Sequence, residues 1–106
     1  MARKAALYLR SSKDRHDVSV DSQSRELTKF ATDSGDLVVV EFSDRVESAK
    51  TDDRPGFQAM IAEAKSKSRR FNVLYCYDTS RFSRRQYHAQ MYKHLLKTHG
   101  IELVFL

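Results

Sequence analysis

Four short apolar runs alternate with three amphipathic stretches along this chain, and that alternation restricts the fold more than any other feature. Lys4–Leu9, Leu37–Phe42, Phe71–Tyr77 and Ile101–Leu106 have the length and apolar continuity of buried strands, the second and third rich in β-branched and aromatic residues. Between them, Val20, Leu27, Phe30 and Ala31 share one face of a helix closed by Gly35. Phe57, Met60, Ile61 and Ala64 follow the i, i+3, i+4, i+7 spacing of a second helix, with Pro55 near its start. Tyr87, Met91 and Leu95, extended by Leu96, supply the stripe of a third. The order β-α-β-α-β-α-β predicts an α/β fold: a mainly parallel central sheet flanked by helices in three αβα layers. Cys76 then falls inside a central strand and reads as a small buried hydrophobe.

The 106 residues suit one domain, and a composition of 41% hydrophobic and 31% charged residues is that of a folded globular chain. No apolar run reaches the roughly 18–20 residues of a membrane span, and the N-terminus has no apolar signal core, so a cytoplasmic setting is expected. Cys76 is the only cysteine, which excludes an internal disulfide and a Cys-based zinc cluster. His16, His88, His94 and His99 lack the compact spacing of metal ligands. Neither a metal nor a cofactor is expected.

Charge is concentrated. The formal net charge is +5, yet Lys65–Arg85 alone carries +6, from Lys65, Lys67, Arg69, Arg70, Arg81, Arg84 and Arg85 against Asp78. The other 85 residues sum to −1. A basic face on a near-neutral body suits a polyanion such as nucleic acid. The plainer reading is a solvated helix end, where Lys and Arg are favoured by the dipole.

In open parallel sheets, ligands bind at the carboxyl ends of the strands. The first three predicted strands run into Arg10-Ser11-Ser12, Ser43-Asp44 and Asp78-Thr79-Ser80-Arg81. Arginines and hydroxyls meeting at one edge point to an anion site. The chain has only Gly35, Gly56 and Gly100, and neither a Walker loop nor a dinucleotide fingerprint. Side chains must therefore hold a phosphate, and guanidinium matches two of its oxygens. A hydroxyl among arginines has a further use, because phosphoryl transfer needs an in-line nucleophile and positive charge around the equatorial oxygens.

Tyr8, Arg10 and Ser12 form Tyr-x-Arg-x-Ser, Ser19 and Gln23 form Ser-x-x-x-Gln, Asp44 and Ser48 precede Arg54-Pro55, and Arg81 and Arg84 form Arg-x-x-Arg. In these four ordered blocks the chain resembles the N-terminal catalytic domain of the serine site-specific recombinases, the resolvase–invertase and large serine integrase group. The resemblance implies that Ser12 attacks a DNA phosphodiester and forms a 5′-phosphoserine link, so that DNA is cut and rejoined without ATP. It implies that Arg10, Arg54, Arg81 and Arg84 surround the phosphate and stabilise the transition state. Asp44 would orient an arginine or accept a proton, the alternative being a turn or helix cap. Tyr8, Gln23, Ser48 and Ser80 would be supporting polar residues.

Ser11 competes with Ser12 for the nucleophile's role. Side chains alternate across a strand, so Arg10 and Ser12 share a side if the strand extends that far. Two positions depart from the family. Ser80 stands where many small members have Asp, with Asp78 two residues earlier, and Ala49 stands where Gly is common. Family members continue past the fourth strand into a dimerisation helix and DNA-binding domains. Residues 1–106 are thus expected to be the front part of a catalytic domain, and DNA and further copies of the chain to be the partners, as a dimer or tetramer. Two other readings are a non-catalytic DNA-binding or assembly module on the same fold, and a small phosphate-binding α/β enzyme unrelated to DNA.

Overall fold

A computed structural model of the chain describes residues 3–12, 18–46, 54–77 and 86–106, with the backbone alone at 12, 46 and 86–88. The elements are β1 (Arg3–Ser12), α1 (Val20–Asp33), β2 (Asp36–Val46), α2 (Pro55–Lys65), β3 (Val73–Cys76), α3 (Gln86–Thr98) and β4 (Glu102–Phe105). All described strand pairs are parallel, in the order β2-β1-β3-β4. The α/β alternation in the sequence therefore produces the parallel three-layer sheet it predicts.

β1 and β3 lie inside the sheet, which explains their apolar continuity: each must bury side chains on both faces. On one face, Leu27 and Ala31 of α1 cover Ala5, Leu7, Leu9, Val73 and Tyr75. On the other, Phe57, Met60, Ile61 and Ala64 of α2 and Leu96 of α3 cover Ala6, Tyr8, Leu74 and Cys76. Cys76 is fully buried. Helix ends follow local chemistry. The Ser19 hydroxyl accepts from the Ser22 N–H at the start of α1, and Gly35 turns the chain out of that helix at φ 85°. Pro55 opens α2, where no N–H is needed.

Two strand boundaries differ from the apolar runs. β1 continues through Ser12 and β2 through Val46, paired as far as Ser12↔Val46, although β3 stops opposite Tyr8. The polar ends of β1 and β2 thus form a two-stranded extension, and Asp44 lies within a strand instead of beyond one. Main-chain pairing carries a strand past the point where hydrophobicity ends.

On α3, Leu95 and Leu96 pack as expected, Met91 does not, and the Tyr87 side chain lies outside the described residues. Met91 is 46% exposed, while Ala89, Tyr92 and Leu95 pack on the core beside buried Leu96. Tyr92 meets the Phe57 ring edge-on at 4.8 Å, and this contact helps set the helix's rotation.

The structure describes the first part of the Lys65–Arg85 segment. Lys65, Lys67, Arg69 and Arg70 precede β3 and sit at the sheet's amino edge, where Asn72 N–H donates to Lys4 O. Arg70 is engaged by Glu63, with Nη2–Oε1 at 2.7 Å. Arg81, Arg84 and Arg85 follow the opposite end of β3 and lie outside the described residues. A four-residue strand, β3, lies between the two groups in sequence.

Arg3 ties the amino edge together. It bonds Asp36 at the start of β2 (Nε–Oδ1 3.0 Å) and Glu102 at the start of β4. Asp36, itself buried, also accepts from the Tyr75 hydroxyl. No helix among the described residues is long and apolar enough to cross a membrane.

Candidate anion site at the carboxyl edge

Tyr8, Arg10, Gln23, Asp44 and Arg54 come together where β1 and β2 outrun β3, and all five are buried. β1 supplies Tyr8 and Arg10, β2 supplies Asp44 opposite Arg10, α1 supplies Gln23, and Arg54 stands at the start of α2.

Asp44 is engaged from three directions. Its Oδ1 accepts from the Gly56 N–H at 2.8 Å, and its Oδ2 accepts from the Phe57 N–H at 2.8 Å and the Tyr8 hydroxyl at 2.7 Å. Gly56 and Phe57 are the second and third residues of α2, so the carboxylate caps a helix that its own N-cap residue, Arg54, leaves without a side-chain bond. Negative charge at this end also complements the helix dipole. Of the roles open to Asp44 from sequence, the geometry matches the cap. Tyr8 donates its hydroxyl proton to this carboxylate. Burial, then the bond to Asp44, pushes its phenol well above the ordinary value of 10.0, against the opposing charges of Arg54 and Arg10.

Gly56 makes the close approach possible. A Cβ there would lie 2.4 Å from the Ser43 carbonyl oxygen, a backbone atom with little freedom to yield. Arg54 then turns its guanidinium over the Phe57 ring, 3.9 Å from Cζ to centroid. The same ring stands edge-on to Tyr8 at 5.1 Å, so one aromatic joins β1, the head of α2 and Tyr92 of α3.

Gln23 belongs to the interior. Its Nε2 donates to Arg10 O and Val18 O, both at 2.9 Å, and its Oε1 accepts from the Arg10 N–H at 3.3 Å. The amide fixes the main chain of Arg10 from the side that β3 no longer reaches.

Of the sequence-nominated residues, Tyr8, Arg10, Gln23, Asp44 and Arg54 are thus assembled. β1 persists through Ser11 and Ser12, as the alternation argument requires, but the Ser12 side chain lies outside the described residues. Ser48, Ser80, Arg81 and Arg84 lie outside them as well. Gly56 and Phe57 were not nominated. The signal for Gly56 was its place near a helix start, where glycine costs about 1 kcal/mol against alanine and so suggests close packing. Phe57 was legible only as a core residue.

What the arrangement offers is two nearly buried cations, Arg10 at 6% and Arg54 at 4% exposure, at the edge where parallel sheets bind ligands. Such a site is suited to a phosphate group. Among the described residues no cluster of His, Cys, Asp and Glu could hold a metal ion.

Fold and site together define an α/β domain with two arginines buried at the carboxyl edge of its sheet. The sequence pattern of the family described as Resolvase, N terminal domain, matches residues 5–106. The chain belongs to that family, and its kind is the recombinase catalytic domain. Among solved structures, it is similar to the N-terminal catalytic domain of TP901-1 integrase, at 28% identity and a TM-score of 0.82, over 98% of this chain and 77% of that one. It shares its fold with a resolvase family site-specific recombinase from Streptococcus pneumoniae, at 24% identity and a TM-score of 0.84, over 97% and 71% of the two chains. It also shares it with the C-terminal catalytic domain of ISC1926 TnpA, an IS607-like serine recombinase, at 22% identity and a TM-score of 0.81, over 96% and 68%. A search of curated proteins found no match.

Proposed function

We propose that this domain cuts and rejoins DNA through a covalent phosphoserine intermediate. The observation that carries the proposal is the pair of buried guanidiniums, Arg10 and Arg54, at the carboxyl edge where β1 ends in Ser12. In the reaction, the Ser12 hydroxyl loses its proton as its oxygen bonds to phosphorus. The bond from phosphorus to the 3′ oxygen breaks, and that oxygen leaves as a hydroxyl. The enzyme is then esterified to the 5′ phosphate. Attack by a 3′ hydroxyl on this ester reverses the step and frees Ser12, so the phosphate ester's energy is conserved and no ATP is spent. Arg10 and Arg54, with Arg81 and Arg84, stabilise the charge that builds on the phosphoryl oxygens. Residues 1–106 act as the front part of the catalytic domain, DNA is the substrate, and further copies of the chain are the partners, since exchange requires four broken strands.

The test replaces the corresponding front part of the catalytic domain of a serine integrase of known site with these residues and supplies supercoiled DNA bearing that site. A covalent protein–DNA adduct on a denaturing gel, lost in Ser12→Ala while DNA binding persists, supports the proposal. An undiminished adduct from Ser12→Ala would move the nucleophile elsewhere, first to Ser11. An assembled complex that forms no adduct would favour a non-catalytic binding module.

A further inference from the structure

We infer that Asp44 is a positioning residue for Arg54, acting through the first turn of α2 and not through any proton it exchanges with substrate. The inference rests on the proposed function for its significance, but the geometry that supports it is independent of DNA.

Arg54 is the N-cap residue of α2, with φ −131° and ψ 77°, and its own side chain makes no cap bond. Left to itself, a helix start of this kind frays, because the N–H groups of its first turn lack partners. Here two of them are taken by a carboxylate from β2, Gly56 N–H by Oδ1 and Phe57 N–H by Oδ2. The carboxylate is in turn held by the Tyr8 hydroxyl on β1, an inner strand of the sheet. The head of α2 is therefore bolted to the two strands that extend beyond β3. Its backbone also lies against Ser43 too closely for any residue but glycine.

This attachment determines where a charged group stands. The guanidinium of Arg54 rests over Phe57, whose own N–H is one of the two bonds to Asp44, and the Phe57 ring abuts Tyr8. Tyr8, Asp44 and Phe57 thus form a closed loop of contacts, and Arg54 rests on it through the Phe57 ring. If Asp44 loosens, both the ring beneath the guanidinium and the turn that carries it are free to move. Preorganising a cation before charge develops on its ligand is what makes it effective in a transition state. A general base would need an oxygen facing the reacting hydroxyl. Asp44 instead presents its oxygens to three protein donors.

The ring under Arg54 provides a readout that a general loss of stability does not imitate. Protons held over an aromatic face are shifted upfield, so the Arg54 Cδ–H and Nε–H resonances report its seat. Spectra would be recorded on this chain, on Tyr8→Phe, which removes one oxygen atom from the seat, and on Asp44→Ala and Asp44→Asn. Expected is an Arg54 upfield shift that falls in Tyr8→Phe, disappears in Asp44→Ala and recovers in part in Asp44→Asn, while the Leu74 and Leu27 methyl resonances stay in place. Should Asp44→Ala not fold, Tyr8→Phe alone decides. An unchanged Arg54 shift alongside displaced Gly56 and Phe57 amide signals would overturn the inference. A 20-base-pair DNA duplex, titrated into the unsubstituted chain, separates the two readings: an Arg54 signal that depends on Asp44 but ignores the duplex keeps the positioning role and removes the proposed function.

Discussion

The side-chain amide of Gln23 pairs with the main chain of Arg10 as a neighbouring strand would, donating to its carbonyl at 2.9 Å and accepting its N–H at 3.3 Å. Lys4 O already faces β3, receiving the Asn72 N–H, and alternation turns the main chain of Arg10 the same way. β3 has ended at Cys76, opposite Tyr8, so no strand is there to meet it. A helix side chain completes the ladder in its place. A buried backbone amide without a partner would otherwise be costly exactly where an arginine must be held still.

Gln23→Ala should therefore destabilise the fold by about 2–3 kcal/mol, the scale of leaving buried polar groups unpaired. Urea denaturation would measure the loss. Hydrogen exchange would locate it, with the Arg10 amide losing protection before the amides of β3. Equal protection at Arg10 in both proteins would mean that another group takes over the pairing.

Gly56→Ala is expected to separate α2 from β2. The new methyl would overlap the Ser43 carbonyl, and relieving it must lengthen the two bonds from the helix to Asp44. Overpacking of this kind costs about 1–3 kcal/mol. Alanine is otherwise the better helix former, so an increase in thermal stability would contradict the close approach.

Acid should weaken the amino edge through Asp36. Burial by itself would raise this carboxyl, but hydrogen bonds from Arg3 and Tyr75 outweigh it and hold the group below its ordinary 3.8. Glu63 is likewise lowered, first by its bond to Arg70. A carboxyl depressed in the folded state takes up protons more readily when unfolded. Its contribution is therefore complete above the unfolded value, and it is lost as pH falls through the lower folded value. Urea midpoints recorded from pH 6 down to pH 2 should fall below about pH 4. Asp36→Asn should lower the midpoint at pH 6 and flatten that decline. A parallel decline in the variant would place the acid sensitivity elsewhere.

Lys67 and Arg69 stand at the amino edge of the sheet, opposite the carboxyl edge that holds Arg10 and Arg54. Lys67→Glu combined with Arg69→Glu changes the amino edge, away from Arg10 and Arg54, and should leave duplex affinity and its salt dependence close to unchanged. Arg54→Ala should weaken binding and reduce the slope of log K against log salt by about 1, the value for one phosphate contact. Fluorescence anisotropy over a range of salt concentrations distinguishes them. A larger loss from the amino-edge pair would relocate the DNA to that side.

By itself, the sequence determined the order of elements and the class of fold. A strand buried on both faces needs an unbroken apolar run, and a helix covering a sheet needs a 3.6-residue stripe, both of which are local patterns. It also nominated Tyr8, Arg10, Asp44 and Arg54 through their types and order. Only the tertiary structure decided what they do for one another. Asp44 meets the first turn of α2 across 12 residues of chain and Tyr8 across 36, and neither separation has a periodicity to reveal it. The polar strand ends, the interior place of Gln23 and the rotation of α3 have the same origin. Each depends on which groups the packed sheet leaves without a partner, and that is known only once distant parts of the chain are in contact.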